Sequence, residues 1–88
     1  MEITEVNIKL LDDQKVKAYA NVVFDNVLAI HNIKILDGKK GFFIAMPSKK
    51  VGDRFRDIIH PLNSDFRNEI QDTILKKFNE EISHVKSA

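Results

Sequence analysis

The stretch Val16-Lys17-Ala18-Tyr19-Ala20-Asn21-Val22-Val23-Phe24-Asp25-Asn26 gives the clearest indication of the fold. Its even-numbered positions are apolar as far as Phe24, and most of its odd-numbered positions are polar, a period that is typical of a half-buried strand. Asp25 and Asn26 then follow, and both residue types tolerate positive φ better than most. The stretch therefore predicts a strand that ends in a tight hairpin turn.

Three further strands are predicted around this one. Before it, Val6, Ile8 and Leu10 alternate with polar residues. After it comes a strand that is apolar on both parities, which is either central with both faces covered or bulged near His31. A glycine-bearing turn leads into a fourth strand, which Pro47 ends because proline cannot donate to a ladder. The four predicted strands cover residues of about 3–11, 15–25, 27–37 and 41–47.

The last third of the chain predicts one long amphipathic helix over residues 64–85, with Asn63 or Ser64 as its N-cap. Its apolar stripe repeats about every four positions and consists of Phe66, Ile70, Ile74, Leu75, Phe78, Ile82 and Val85. Four antiparallel strands followed by one helix predict a single two-layer α+β domain over residues 1–88.

Composition narrows the class of protein. The chain has 88 residues, no cysteine and a net charge of +1, so it has neither disulfides nor a thiolate metal site. No signal-peptide pattern opens the sequence, and no apolar run reaches the roughly 20 residues of a membrane span. We therefore expect a cytoplasmic protein with no membrane association.

The positive charge is concentrated in the middle of the chain. Residues 39–60 carry a net charge of +4, whereas residues 1–38 and 61–88 carry −2 and −1. The densest part is a predicted basic loop over residues 48–62, which follows the apolar strand end Phe42-Phe43-Ile44-Ala45-Met46 and could contain one short extended or helical piece around Phe55 to Ile58. Such a patch predicts a polyanionic partner, because arginine grips phosphate through two parallel hydrogen bonds and lysine acts as a point charge. The candidate contacts are Lys49, Lys50, Arg54, Arg56 and, at the start of the helix, Arg67.

Two alternatives stay open for this loop. Its lysines could simply be solvated surface residues, and Arg56 could pair with Asp53 or Asp57 rather than with a ligand. We expect Phe55 to be buried rather than stacked on a base, since no series of aromatic residues accompanies it.

The sequence contains no motif that indicates a catalytic or metal-binding site. The histidines His31, His60 and His84 show no metal-ligand spacing, and the chain has no nucleophile-elbow or phosphate-binding glycine motif. We expect no catalytic residue, no metal, no cofactor and no small-molecule substrate.

Three motifs resemble the SpoVG family, the stage V sporulation proteins G. They are A-M-P-S-K-K from Ala45, F-R-D-I-I-H-P from Phe55 and N-S-D-F-R-N-E-I-Q-D from Asn63, and the resemblance extends over residues 1 to about 80. The segment Val51-Gly52-Asp53-Arg54 is shorter than the common family version, so Arg54 has no secure counterpart.

This resemblance implies a cytoplasmic homodimer that regulates septation, sporulation or other genes by binding DNA and, in some members, RNA. At matching positions it points to Lys49, Lys50, Arg56 and Arg67. A different class of function stays open, a protein-interaction module of the cell-division machinery for which nucleic-acid binding is incidental. An edge strand could join two copies, and the sequence does not say which.

Overall fold

The computed structural model describes residues 1–87 and the side chains of residues 1–83. The predictions for the side chains of His84 and Val85 lie outside that part. A four-stranded antiparallel sheet has the order β1-β2-β3-β4, and one helix follows it, which confirms the predicted α+β architecture. The strands are β1 (Ile3–Leu10), β2 (Val16–Phe24), β3 (Leu28–Gly38) and β4 (Gly41–Ala45), and the helix is α1 (Ser64–Ser87).

The predicted hairpin turn after β2 is confirmed. Asp25 and Asn26 have φ of 51° and 57°, and the Val27 N–H donates to the Phe24 carbonyl at 3.0 Å. Positive φ at both central positions matches the twist of the flanking strands, so β2 passes directly into β3.

A bulge explains why β3 is apolar on both parities. Ala20 pairs with Ile33 but Val22 pairs with Ile30, so His31 and Asn32 together oppose a single residue of β2. Asn32 has φ of 64°, and its N–H donates to Asn21 Oδ1 at 3.2 Å. The extra residue moves the buried positions from even to odd numbers, which confirms the bulged alternative.

The helix covers one face of the sheet. The N-cap of α1 is Asn63, whose Oδ1 accepts the Phe66 N–H at 2.7 Å. Two ring contacts join the layers, Phe24 with Phe66 at 5.8 Å and Phe42 with Phe78 at 4.9 Å between centroids. The buried core lies between sheet and helix and consists of Ala18, Ala20, Val22, Phe24, Ile30, Ile33, Ile35, Ile44, Met46, Ile70, Ile74 and Phe78.

The segment predicted as a loop over residues 48–62 differs from that prediction. It begins with a hairpin of two short strands, β5 (Ser48–Val51) and β6 (Arg54–Asp57), which form a separate sheet. Every residue from 48 to 60 is exposed. Strands that bury neither face show no apolar alternation, so hydrophobic periodicity could not detect them.

Candidate nucleic-acid interface

The β5–β6 hairpin is an arm that carries four of the five predicted contact residues. Its turn is Gly52-Asp53, with φ of +63° at Gly52, a conformation that suits glycine. At its base, the Ile58 N–H donates to the Pro47 carbonyl at 2.7 Å. In the described chain, β5 and β6 pair with each other and with no other strand, so the arm stands apart from the main sheet.

The register of the hairpin sorts its side chains onto two faces. Lys49 pairs with Arg56, and Val51 pairs with Arg54. Because paired residues share a face and neighbours along a strand alternate, these side chains lie together. We call Lys49, Val51, Arg54 and Arg56 the cationic face. The opposite face carries Ser48, Lys50, Phe55 and Asp57, and we call it the Phe55 face.

The cationic face holds unneutralised positive charge. Neither Arg54 nor Arg56 lies within 4.0 Å of the carboxylates of Asp53 or Asp57, so the ion-pair alternative for Arg56 is not formed. Asp57 is on the Phe55 face, pointing away from both guanidinium groups. Lys49 and Arg56 are directly opposed like charges, an arrangement that is unfavourable until an anion lies between them.

The other two predicted contact residues lie elsewhere. Lys50 is exposed on the Phe55 face, beside its partner Phe55. Arg67 lies in the first turn of α1, where its N–H donates to the Asn63 carbonyl at 3.2 Å, and its side chain is exposed. The structure thus brings Lys49, Arg54 and Arg56 together on one face, places Lys50 on the opposite face of the hairpin, and places Arg67 on a different element.

Phe55 corrects one prediction. Its side chain was expected to be buried, but it is 72% exposed. The neighbouring Ile58 and Leu62 are also exposed, Leu62 to 92%. The arm forms a sheet separate from the main one, and its apolar side chains find no cover within the described protomer.

One sequence signal could have revealed the arm. Gly-Asp between Val51 and Arg54 is a two-residue hairpin signal of the type with glycine at the first central position. Only that first position has positive φ, as this turn type requires.

A metal site in the described part of the chain would require several ligating side chains close together. No group of three or more His, Cys, Asp or Glu side chains in that part could hold a metal ion. His60 Nδ1 lies 3.2 Å from the Pro61 carbonyl and borders an apolar cavity of about 170 Å³ that Phe24, Ile30, Met46 and Phe66 also line. None of the described helices is long and apolar enough to cross a membrane.

Comparison with known proteins gives one consistent result. The model of the SpoVG family matches residues 1–80. A relative from Finegoldia magna is 49% identical over 89 residues, covering 99% of this chain and 82% of the relative. One from Thermoanaerobacter pseudethanolicus is 49% identical over 80 residues, covering 89% and 87%. One from Clostridioides difficile is 44% identical over 82 residues, covering 91% and 89%. All three bear the name "putative septation protein SpoVG".

Proposed function

The chain belongs to the SpoVG family, and on that premise we propose that it is a cytoplasmic regulator of septation or sporulation that binds nucleic acid as a homodimer. The observation that carries the nucleic-acid part is the cationic face, where three basic side chains converge without a carboxylate partner. Its natural ligand is a phosphate backbone, because arginine and lysine together neutralise successive phosphates.

The homodimer rests on the exposure of the arm. A two-stranded hairpin alone in water is marginally stable, and this one contains a phenylalanine that is 72% exposed. A second copy packed on the Phe55 face would bury that ring and leave the cationic face free. Two cationic faces related by a two-fold axis would then present a footprint that a single protomer lacks. Strand pairing between the two copies is the other possible contact, and the edge strands of the four-stranded sheet are β1 and β4.

The test of the proposed function is a titration of fluorescently labelled duplex DNA of random sequence, followed by anisotropy at about 50 and about 200 mM salt. If the protein contacts about four phosphates, its affinity should fall roughly a hundredfold over that range. Absence of binding to this duplex and to a single-stranded RNA, even at the lower salt concentration, would refute the proposal. A parallel titration with single-stranded RNA would show which nucleic acid is preferred.

The dimer makes a separate prediction for Phe55. Replacing Phe55 by serine should raise the dimer dissociation constant by about thirtyfold or more, since buried aromatic anchors contribute about 2 kcal/mol or more to an interface. Sedimentation velocity over a range of concentrations would measure this. Val27→Ser is the matched control, because Val27 is an exposed apolar residue in the β2–β3 turn, outside the arm. If both substitutions raised the dissociation constant equally, or if neither raised it, an interface at Phe55 would be contradicted.

A second candidate function is a protein-interaction module of the division machinery, favoured by the exposed apolar side chains Val51, Phe55 and Ile58 and the low net charge of +1. Binding through apolar contacts would survive salt that abolishes duplex binding. Capture of a protein partner at about 0.5 M salt, together with absence of duplex binding at low salt, would favour this function.

A further inference from the structure

The four-stranded sheet has a second face, which the helix leaves uncovered. Odd-numbered residues of β2, and those of β1 from Glu5 onward, point there, because their even-numbered neighbours such as Ala18 and Ala20 are buried under α1. The register places one row directly across three strands: Lys9 pairs with Tyr19, and Tyr19 pairs with Lys34. We call this surface the open face.

Tyr19 is therefore flanked on both sides by lysine. Paired residues have Cβ atoms about 4.5–5.5 Å apart, so both lysine side chains start within reach of the phenol ring. Lys9 and Lys34 are exposed and Tyr19 is partly exposed. None of the three has a side-chain hydrogen bond or ion pair with another described residue. The row thus offers one stacking surface between two free cations.

Three of the four charged strand residues on the open face are basic, since Lys17 joins Lys9 and Lys34 there. Lys17 lies two positions from Tyr19 on the same strand, and its Nζ donates to the Asp13 carbonyl at 3.0 Å. The carboxylate on this face is Glu5, which pairs with Val23, four positions or about 13 Å along β2 from Tyr19. The charge around the ring is therefore complementary to an anion.

A second ring lies on the same surface. Phe43 is 43% exposed and pairs with Leu36, so it is two strands and two positions from Tyr19, about 12 Å by strand spacing and rise. Gly38 lies beneath it, where an added Cβ would approach the ring to 2.8 Å. The ring of Phe43 therefore packs closely over the backbone of β3, and part of it stays open to solvent.

Exposed rings between lysines on an antiparallel sheet suit a ligand that has both π-faces and phosphates. The faces of unpaired bases are free to stack on an aromatic ring, whereas in a duplex the bases are stacked on each other. Sheets with exposed aromatic side chains bind single strands by such stacking. We propose that the open face binds single-stranded nucleic acid, with an unpaired base stacked on Tyr19 and the adjacent phosphates on Lys9 and Lys34. This goes beyond the function proposed above, since it uses a different surface and a different form of nucleic acid.

The chain provides its own reporter for this site. Tyr19 is the single tyrosine and there is no tryptophan, so tyrosine fluorescence reports on Tyr19 alone. Wild-type protein would be titrated with oligouridylate, oligothymidylate and duplex DNA, and the emission corrected for absorption by the probe. We expect both single strands, or the RNA alone, to quench the tyrosine in a saturable manner. We expect duplex DNA to leave it unchanged. Binding of single strands with no quenching, or no binding of them at low salt, would overturn the proposal.

Variants test the same site by affinity. Tyr19→Ala should weaken single-strand binding by about fivefold to a hundredfold, and Tyr19→Phe should bind like the wild type, because stacking needs the ring and not the hydroxyl. Lys34→Ala should weaken binding and flatten its salt dependence, whereas Lys76→Ala, the same charge change on the exposed side of α1, should do neither.

Failure of this site is distinguishable from failure of the cationic face. Loss of the hairpin cations should abolish duplex binding while tyrosine quenching by single strands persists. Unchanged single-strand affinity in folded Tyr19→Ala would refute the site. A change in sedimentation of that variant with no change in affinity would assign the open face to a contact between copies and equally refute it.

Discussion

Alanine at Lys49, Arg54 and Arg56 together is expected to lower the affinity for duplex DNA by about a hundredfold or more at low salt. These three side chains form the charged part of the cationic face, and each phosphate contact that is lost removes one set of released counterions. The slope of log K against log salt should therefore become shallower by about 2.7 per protomer. Anisotropy titrations at several salt concentrations would measure both quantities.

The matched control removes the same charge from the same part of the sequence. Lys39, Lys40 and Lys50 lie within residues 39–60, but the first two are in the β3–β4 turn and Lys50 is on the Phe55 face. Their combined replacement by alanine should lower duplex affinity far less. Equal losses in the two triple variants would show that net charge, and not the hairpin face, determines binding. Near-wild-type affinity of the first variant would remove the cationic face from the site.

The variant with alanine at Lys49, Arg54 and Arg56 should be as stable as the wild type or slightly more stable. Lys49 and Arg56 are opposed like charges, and removing them relieves repulsion within the hairpin. A loss of affinity accompanied by unchanged circular dichroism would therefore be a loss of contacts and not of structure.

The main sheet and the helix could be predicted because each buries one face. The burial of β2 alternates from Lys17 to Phe24, and the stripe from Phe66 to Ile82 has the period of a helix. In β3 the parity changes at His31, and the sequence left two explanations open. The backbone decides between them, since Asn32 adopts positive φ and its N–H is bonded to Asn21.

The arrangement of the candidate site could not be predicted because it depends on register. Lys49 and Lys50 are adjacent in sequence, and a loop would allow both to reach one ligand. In a strand they point in opposite directions, while Lys49 and Arg56, seven positions apart, become neighbours. The pairing Lys9–Tyr19–Lys34 likewise joins three separate strands. Periodicity predicts which residues are buried, but pairing determines which exposed residues meet.

The largest effect on stability is expected at Phe78. Its side chain is 1% exposed and meets the ring of Phe42 edge-on at 4.9 Å, so it anchors the second half of α1 to the sheet. Phe78→Ala should lower the free energy of unfolding by about 3–5 kcal/mol. That loss is a large part of the roughly 5–15 kcal/mol that a small domain has.

Urea denaturation at fixed protomer concentration would measure the loss at Phe78, since dimerisation makes apparent stability depend on concentration. The midpoint should fall while the dependence on urea stays the same, because the substitution changes stability and not the extent of unfolding. Leu62→Ala is the control: Leu62 is a large apolar residue that is 92% exposed, so its removal should change stability by less than about 0.5 kcal/mol. If Phe78→Ala cost no more than Leu62→Ala, α1 could not be docked on the sheet through this ring. The apolar face of the sheet would then have to be covered by something other than α1. The assignment of the opposite face as the open face would no longer hold.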